Sequence, residues 1–410
     1  MSLTELLSDA QGLSPFSGEV DTTLRFVEER HVTSATPRAA GAAATFVGVV
    51  GSHVNMGTTT AGTSKYTDVI PEGILRASAS GSSSLGDLEF NMSLLVNDQS
   101  NALEILPRPS ENSNVRAHDL NIALNTETMG SLTWGYQPNL FGGFAEKCDV
   151  MPGLGTVASP HKPQFKYTSP SFGGVEVEVA LSQQNHALDG DVTLAGALGV
   201  MNSTVSTRLG TEARIAYDLG FMGSYGVKAK IGAEILSQKA VKFGGNDSIT
   251  TADVVSDKLS GLGYFFDGEL FSGAKVCLNK SKTKGLGPNY QTLGGFATNA
   301  ADAENAGRRH YDHLNATVKY TVPMASFPVD LSLNYGITER KGVEITNANE
   351  EATPMENKRL GLSLCSNVSD ALCFSGSYDK IDSKVGSQSA KTDGGSAKVY
   401  AFTGRYTFGK

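Results

Sequence analysis

The chain has 410 residues, 40 % of them hydrophobic and 19 % charged, with 46 glycines and a formal net charge of −8. The low hydrophobic and charged shares, with plentiful Gly, Ser, Thr and Asn, suit strands and turns rather than long helices. An acidic balance without any Lys/Arg block excludes a nucleic-acid surface, and no stretch reaches the roughly 18–20 apolar residues of a transmembrane helix.

Apolar–polar alternation with period two, the signature of a strand with two unlike faces, begins early and recurs to the C-terminus. It predicts strands over 19–30, 66–80 and 86–98; in the last, Leu88, Phe90, Met92, Leu94 and Val96 oppose Asp87, Glu89, Asn91 and Ser93. Strands at 114–125, 130–137 and 163–169 precede 173–183, where Val175, Val177, Val179 and Leu181 face away from Glu176, Glu178 and Ser182. Further strands fall at 204–219, 224–238, 254–266 and 269–283, followed by 311–322, 328–340, 356–366, 371–382 and 396–408. The total is about 16, an even number, and most are about 9–14 residues long, enough for a tilted strand to cross a bilayer.

Short turns at 81–85, 126–129, 170–172, 220–223, 267–268, 323–327 and 367–370 alternate strictly with long polar connections at 31–65, 99–113, 138–162, 184–203, 239–253, 284–310, 341–355 and 383–395. A sandwich with Greek-key crossings has no reason to follow that rule. An up-and-down barrel with tight turns at one rim and long loops at the other does. So many amphipathic strands in water would need a second apolar layer, which nothing in the sequence supplies. Lipid supplies it, and closure of the barrel pairs every backbone polar group. The expected fold is an all-β, transmembrane, antiparallel up-and-down barrel of about 16 strands. Residues 19–410 are expected to form this single domain, with 1–18 either an N-terminal extension or a remnant of expression. Those first residues lack the basic and apolar regions of a secretory signal peptide.

Alternation also assigns the polar face. Arg25, Arg76 and Lys166 point into the barrel, as do Arg214, Lys228, Lys230, Lys319, Arg359 and Arg405 and the acids Glu89, Glu176 and Glu178. Tyr225, Tyr320, Tyr335, Tyr400, Phe402, Tyr406 and Phe408 fall outward, as an interfacial aromatic girdle requires. Cys365 and Cys373 sit symmetrically about the turn "SNVSDA", leaving open a cross-strand disulfide or two unlinked thiols. His310 and His313 lack accompanying metal ligands. No P-loop, Gly-x-Gly-x-x-Gly or Gly-x-Ser-x-Gly motif is present, so no enzyme, metal or cofactor is implied.

Three stretches carry a family resemblance. "GSLTWGYQPNLFGGF" at 130–144 resembles the fifth strand and third loop of the general diffusion porins of Gram-negative outer membranes. "FKYTSPSFGGVEVEVALSQQ" at 165–184 is similar to their next strand–turn–strand, and "RYTFGK" at 405–410 to their closing strand, although Gly409 and Lys410 here follow the terminal aromatic. The resemblance implies a homotrimer in the bacterial outer membrane, in contact with its lipids and lipopolysaccharide, with long extracellular loops and short periplasmic turns. It implies passive diffusion of small hydrophilic solutes and ions. The third long loop, 138–162, would fold into the lumen and set Glu146 and Asp149 against the basic wall residues Arg25, Arg76 and Lys166. Rival readings are a substrate-specific channel, a barrel hydrolase of the outer membrane, a soluble or surface all-β binding protein, and a mitochondrial-type barrel.

Overall fold

A computed structural model describes residues 16–31, 62–97, 115–148, 161–183, 204–205, 209–222, 228–238, 243–244, 259–271, 274–284, 310–323, 327–341, 356–387 and 390–409. The strands are β1 (Phe16–His31), β2 (Gly62–Ser83), β3 (Gly86–Asn97), β4 (Val115–Thr126), β5 (Gly130–Pro138), β6 (His161–Thr168), β7 (Val175–Gln183), β8 (Thr204–Val205) and β9 (Leu209–Asp218). They continue as β10 (Lys228–Gln238), β11 (Phe243–Gly244), β12 (Leu259–Phe271), β13 (Ala274–Lys284), β14 (His310–Val322), β15 (Val329–Lys341), β16 (Glu356–Asn367), β17 (Leu372–Ser387) and β18 (Ala390–Phe408). Sixteen of these close into one antiparallel barrel of sequential neighbours, and β8 with β11 forms a separate two-stranded sheet.

The seam joins the two ends of the barrel sequence. β1 and β18 pair from Gly18↔Phe408 to Arg30↔Ser396, so no backbone edge is left between them. The outward face is apolar: Val20, Leu88, Phe165, Ile215, Tyr264, Val318, Leu333, Leu362 and Phe402 are all exposed. At the seam this band ends above Tyr400, whose ring lies 5.0 Å from that of Tyr378. Beyond it come outward charges, paired as Lys65–Glu28 (3.4 Å), Lys358–Glu356 (3.1 Å) and Lys380–Asp382 (2.8 Å). The inward face is mainly polar and holds Ser182, Glu212, Glu234, Asn279, Thr317 and Asn334, all buried. It also carries a buried apolar patch of Val27, Ile381, Ala397 and Val399.

Several predicted boundaries shift. The Asp267–Gly268 dipeptide, expected as a turn, lies inside β12, with Asp267 opposite Lys230 and Gly268 opposite Ala229. Gly268 is required there by proximity, since a Cβ would sit 2.4 Å from that of Ala229. The connection expected at 383–395 is instead a two-stranded ribbon, because β17 and β18 stay paired up to Ser387↔Ala390 past a bulge at Ser383/Lys384. The stretch 204–219 divides, and only β9 enters the barrel. β1 begins at Phe16, ahead of the expected boundary at residue 19, and residues 1–15 lie outside the described residues.

Candidate functional site

The third long connection leaves β5 at Pro138, which still pairs with His161 of β6. The Gln164 side-chain amide on β6 donates to the carbonyls of Gln137 (3.0 Å) and Pro138 (2.7 Å), fixing the exit. The chain then turns into the barrel. Leu140 and Phe141 are buried, and Gly142 takes φ +88°, a left-handed conformation that glycine adopts without a steric penalty. A short helix, α1 (Gly143–Cys148), follows.

Two wall carboxylates receive the loop backbone. Glu212 of β9 accepts from the Phe141 N–H at 2.9 Å, and Glu234 of β10 accepts from the Gly142 N–H at 2.9 Å. Ser182 of β7 donates to the other Glu212 oxygen at 2.6 Å. Both carboxylates are almost wholly shielded from solvent, so these charge-assisted hydrogen bonds replace water that the groups lose.

Arg214 is the hub. Its Nε donates to Glu234 Oε1 at 3.0 Å, its Nη1 to Glu178 Oε2 at 2.7 Å, and its Nη2 to the Leu140 carbonyl oxygen. The planar guanidinium lets one side chain reach three acceptors on β7, β10 and the loop, a fork that lysine cannot reproduce. Its other face lies 4.7 Å from the centroid of Phe144, which stacks on Phe265 of β12. Phe141 packs against Gly261, where a Cβ would meet its ring at 2.3 Å.

The far end is covalent. Cys148, at the end of α1, forms a disulfide with Cys277 of β13. The Cys148 carbonyl oxygen accepts hydrogen bonds from Thr317 of β14 and from Asn334 of β15, the latter at 3.3 Å. Residues 139–148 thus run from β5 along the inner wall to β15, held at the start, middle and end.

The residues expected to line this site are distributed more widely than their proposed roles require. Glu146 lies in α1 but its side chain, like all of Asp149, is outside the described residues. Arg25 is buried on the inner face of β1, opposite Asp68 of β2. Arg76 is eight positions beyond Asp68, about 26 Å along the strand at roughly 3.3 Å per residue, and pairs with Glu19 at 2.8 Å. Lys166 approaches Glu178 to 4.0 Å on another part of the wall. The three cations therefore form no single cluster.

The remaining interior charges are largely paired. Arg405 meets Asp21 (2.7 Å), Lys319 meets Asp330 (2.7 Å), Arg359 meets Asp379 (2.9 Å), and Lys230 approaches Glu176 at 3.9 Å. Lys228 lies opposite Glu269, and Glu89 opposite Ser80. Tyr320, Tyr335, Tyr400, Phe402, Tyr406 and Phe408 are exposed on the outer face, whereas Tyr225 lies outside the described residues. His313 is buried on the inner face, 3.2 Å from the Thr338 hydroxyl.

The linked cysteines are Cys148 and Cys277; Cys365 and Cys373 stand 2.9 Å apart, unlinked. The sequence reading missed Glu212, Glu234, Thr317, Asn334 and the Cys148–Cys277 link. Strand parity carried part of the signal, since Glu212 and Arg214 share one face of β9 and Cys277 alternates with outward Leu278.

No protein-family model matches the chain, and no curated protein matches it by sequence. Solved structures do match. The outer membrane channel DcaP of Acinetobacter baumannii superposes with a TM-score of 0.62 at 11 % identity, covering 96 % of each chain. Salmonella typhi OmpF, solved with daunomycin, gives 0.55 at 10 % identity over 96 % of this chain and 97 % of its own. The anion-selective porin from Comamonas acidovorans gives 0.51 at 11 % identity, covering 96 % and 98 %. The fold is that of a porin. Within this porin fold, the inward segment 139–148 and its anchors on β9, β10 and β13 form the candidate site.

Proposed function

We propose that the chain is an outer-membrane porin, forming a water-filled channel narrowed by the segment around α1, through which small hydrophilic solutes and ions diffuse passively. The observation that carries this reading is the fixed placement of 139–148 across the inside of a closed barrel whose outer face is apolar. A constriction filters by width and field, and needs a rigid element more than a reactive one. Supporting it, the stretch Tyr400–Phe408 has about the 9–11 residues a tilted strand uses to cross a bilayer. The neighbours also include a protein named an outer membrane channel and one named an anion-selective porin.

In this reading the tight turns face the periplasm and the long connections the exterior, with lipid and lipopolysaccharide against the outer face. Tyr406 and Phe408 belong to the girdle at the periplasmic interface. Three copies associate through their apolar faces. Glu178, Glu212 and Glu234 outnumber Arg214 and Lys166 beside the segment, which favours a weak cation preference.

The test is a planar bilayer dosed with detergent-extracted protein. Conductance should rise in steps grouped in threes, and the reversal potential in a salt gradient should report cation preference. Absence of conductance at every dose contradicts the channel.

A further inference from the structure

Two thiols with no assigned role face the barrel interior near the rim that carries the tight turns. Cys365 of β16 lies directly opposite Asp330 of β15, and Cys373 of β17 directly opposite Arg405 of β18. The inner wall therefore reads Lys319, Asp330, Cys365, Cys373, Arg405, Asp21 across six adjacent strands, with the thiols set between the Lys319–Asp330 and Arg405–Asp21 ion pairs. Their sulfurs are 2.9 Å apart, inside van der Waals contact, and both side chains keep partial solvent exposure. Cys148 and Cys277 are 0 % and 8 % exposed.

We propose that Cys365 and Cys373 are a dithiol–disulfide couple on the channel wall, readily oxidised and reduced by small thiol reagents, while the Cys148–Cys277 link is shielded and persistent. Cys365 pairs with Ser375 and Cys373 with Asn367, so the two are diagonal neighbours across the hairpin, and their sulfurs have less than about 1 Å to close to a disulfide of about 2.05 Å. The oxidant is a disulfide, RSSR. The thiolate of one cysteine attacks a sulfur of RSSR, forming a mixed disulfide and releasing RS⁻. The thiolate of the other then attacks the protein sulfur of that mixed disulfide, forming the Cys365–Cys373 bond and releasing the second RS⁻. Two electrons pass to the oxidant, and the two thiol protons pass to solvent. The preformed contact makes the second step intramolecular, so the mixed disulfide does not accumulate.

The test uses the full chain in detergent, first exposed to a mild water-soluble reductant while folded. Alkylation followed by peptide mapping should place label on Cys365 and Cys373 and leave Cys148 and Cys277 joined. A reduced, unalkylated sample then treated with oxidised glutathione should yield a Cys365–Cys373 linked peptide without a glutathione adduct. Under the same treatment Cys373→Ser should hold a stable glutathione adduct on Cys365, because the resolving thiol is gone. Opening of Cys148–Cys277 first, a persistent adduct at both positions in the unmodified chain, or two thiols still alkylated after oxidation would each overturn the proposal.

Discussion

Replacing Cys148 and Cys277 together by serine should raise single-channel conductance and make it noisier, with the barrel still forming. The disulfide fixes the last residue of α1 to β13, and without it that end depends on the hydrogen bonds from Thr317 and Asn334 to one carbonyl oxygen. The cross-link spans 129 residues, so its loss also frees the unfolded chain by an entropy worth about 5 kcal/mol. Thermal unfolding in detergent, followed by the loss of the compact band on an unheated gel, should shift to lower temperature in the double variant. Unchanged conductance and unchanged unfolding temperature together would show that the link restrains neither the constriction nor the barrel.

Arg214→Ala is expected to do more damage than loss of any surface ion pair. Arg214 pairs with both Glu178 and Glu234, and holds the Leu140 carbonyl. Its removal leaves buried Glu234 without its cation and Glu178 with only Lys166 at 4.0 Å, and breaking one partner out of a buried pair typically costs about 3–5 kcal/mol. The loop also loses the cation that bridges it to the wall. The variant should unfold at lower temperature and show stronger cation preference, because negative charge beside the constriction is uncovered. A combined Arg214→Met, Glu178→Gln, Glu234→Gln variant should recover much of the stability but not the original selectivity. If Arg214→Ala behaves like the unmodified protein in both unfolding and reversal potential, the hub role assigned to Arg214 is wrong.

Strand parity was readable in the sequence because a closed barrel with an apolar outer face and a mainly polar inner one imposes one rule on every strand. Leu88 through Val96 and Val175 through Leu181 each present an apolar face that a register slip of one residue would turn inward. The order of elements followed from the alternation of short and long connections. Local turn chemistry misled where tertiary contact decides. Asp267–Gly268 has the composition of a turn, yet the glycine is there because Ala229 lies against it. The polar stretch 383–395 resembles a loop, but cross-strand pairing carries it on as a ribbon.

The site was readable only in part. The third long connection was expected to turn into the lumen from the resemblance at 130–144, and Gly142 makes the bend. The wall residues that receive the bend are far away in sequence: Glu212 is 71 residues from Phe141 and Glu234 is 92 from Gly142. No spacing rule links them. The same is true of Cys148 and Cys277, whereas the local symmetry that drew attention to Cys365 and Cys373 reports only that they share a hairpin. Arg25 and Arg76 share a face by parity, but parity says nothing of height, and the register sets them far apart on the wall.

In the proposed function, the segment ending in the Cys148–Cys277 link sets the width of an open channel. Liposome swelling with sugars of graded size tests it most directly, comparing the unmodified protein with a variant in which residues 141–147 are replaced by a short Gly/Ser linker and Cys148 and Cys277 by serine. Proteoliposomes of the unmodified protein should swell in small sugars and stop at a defined size, and the variant should admit larger ones. Absence of swelling with any sugar, or the same size limit for both proteins, would contradict the account.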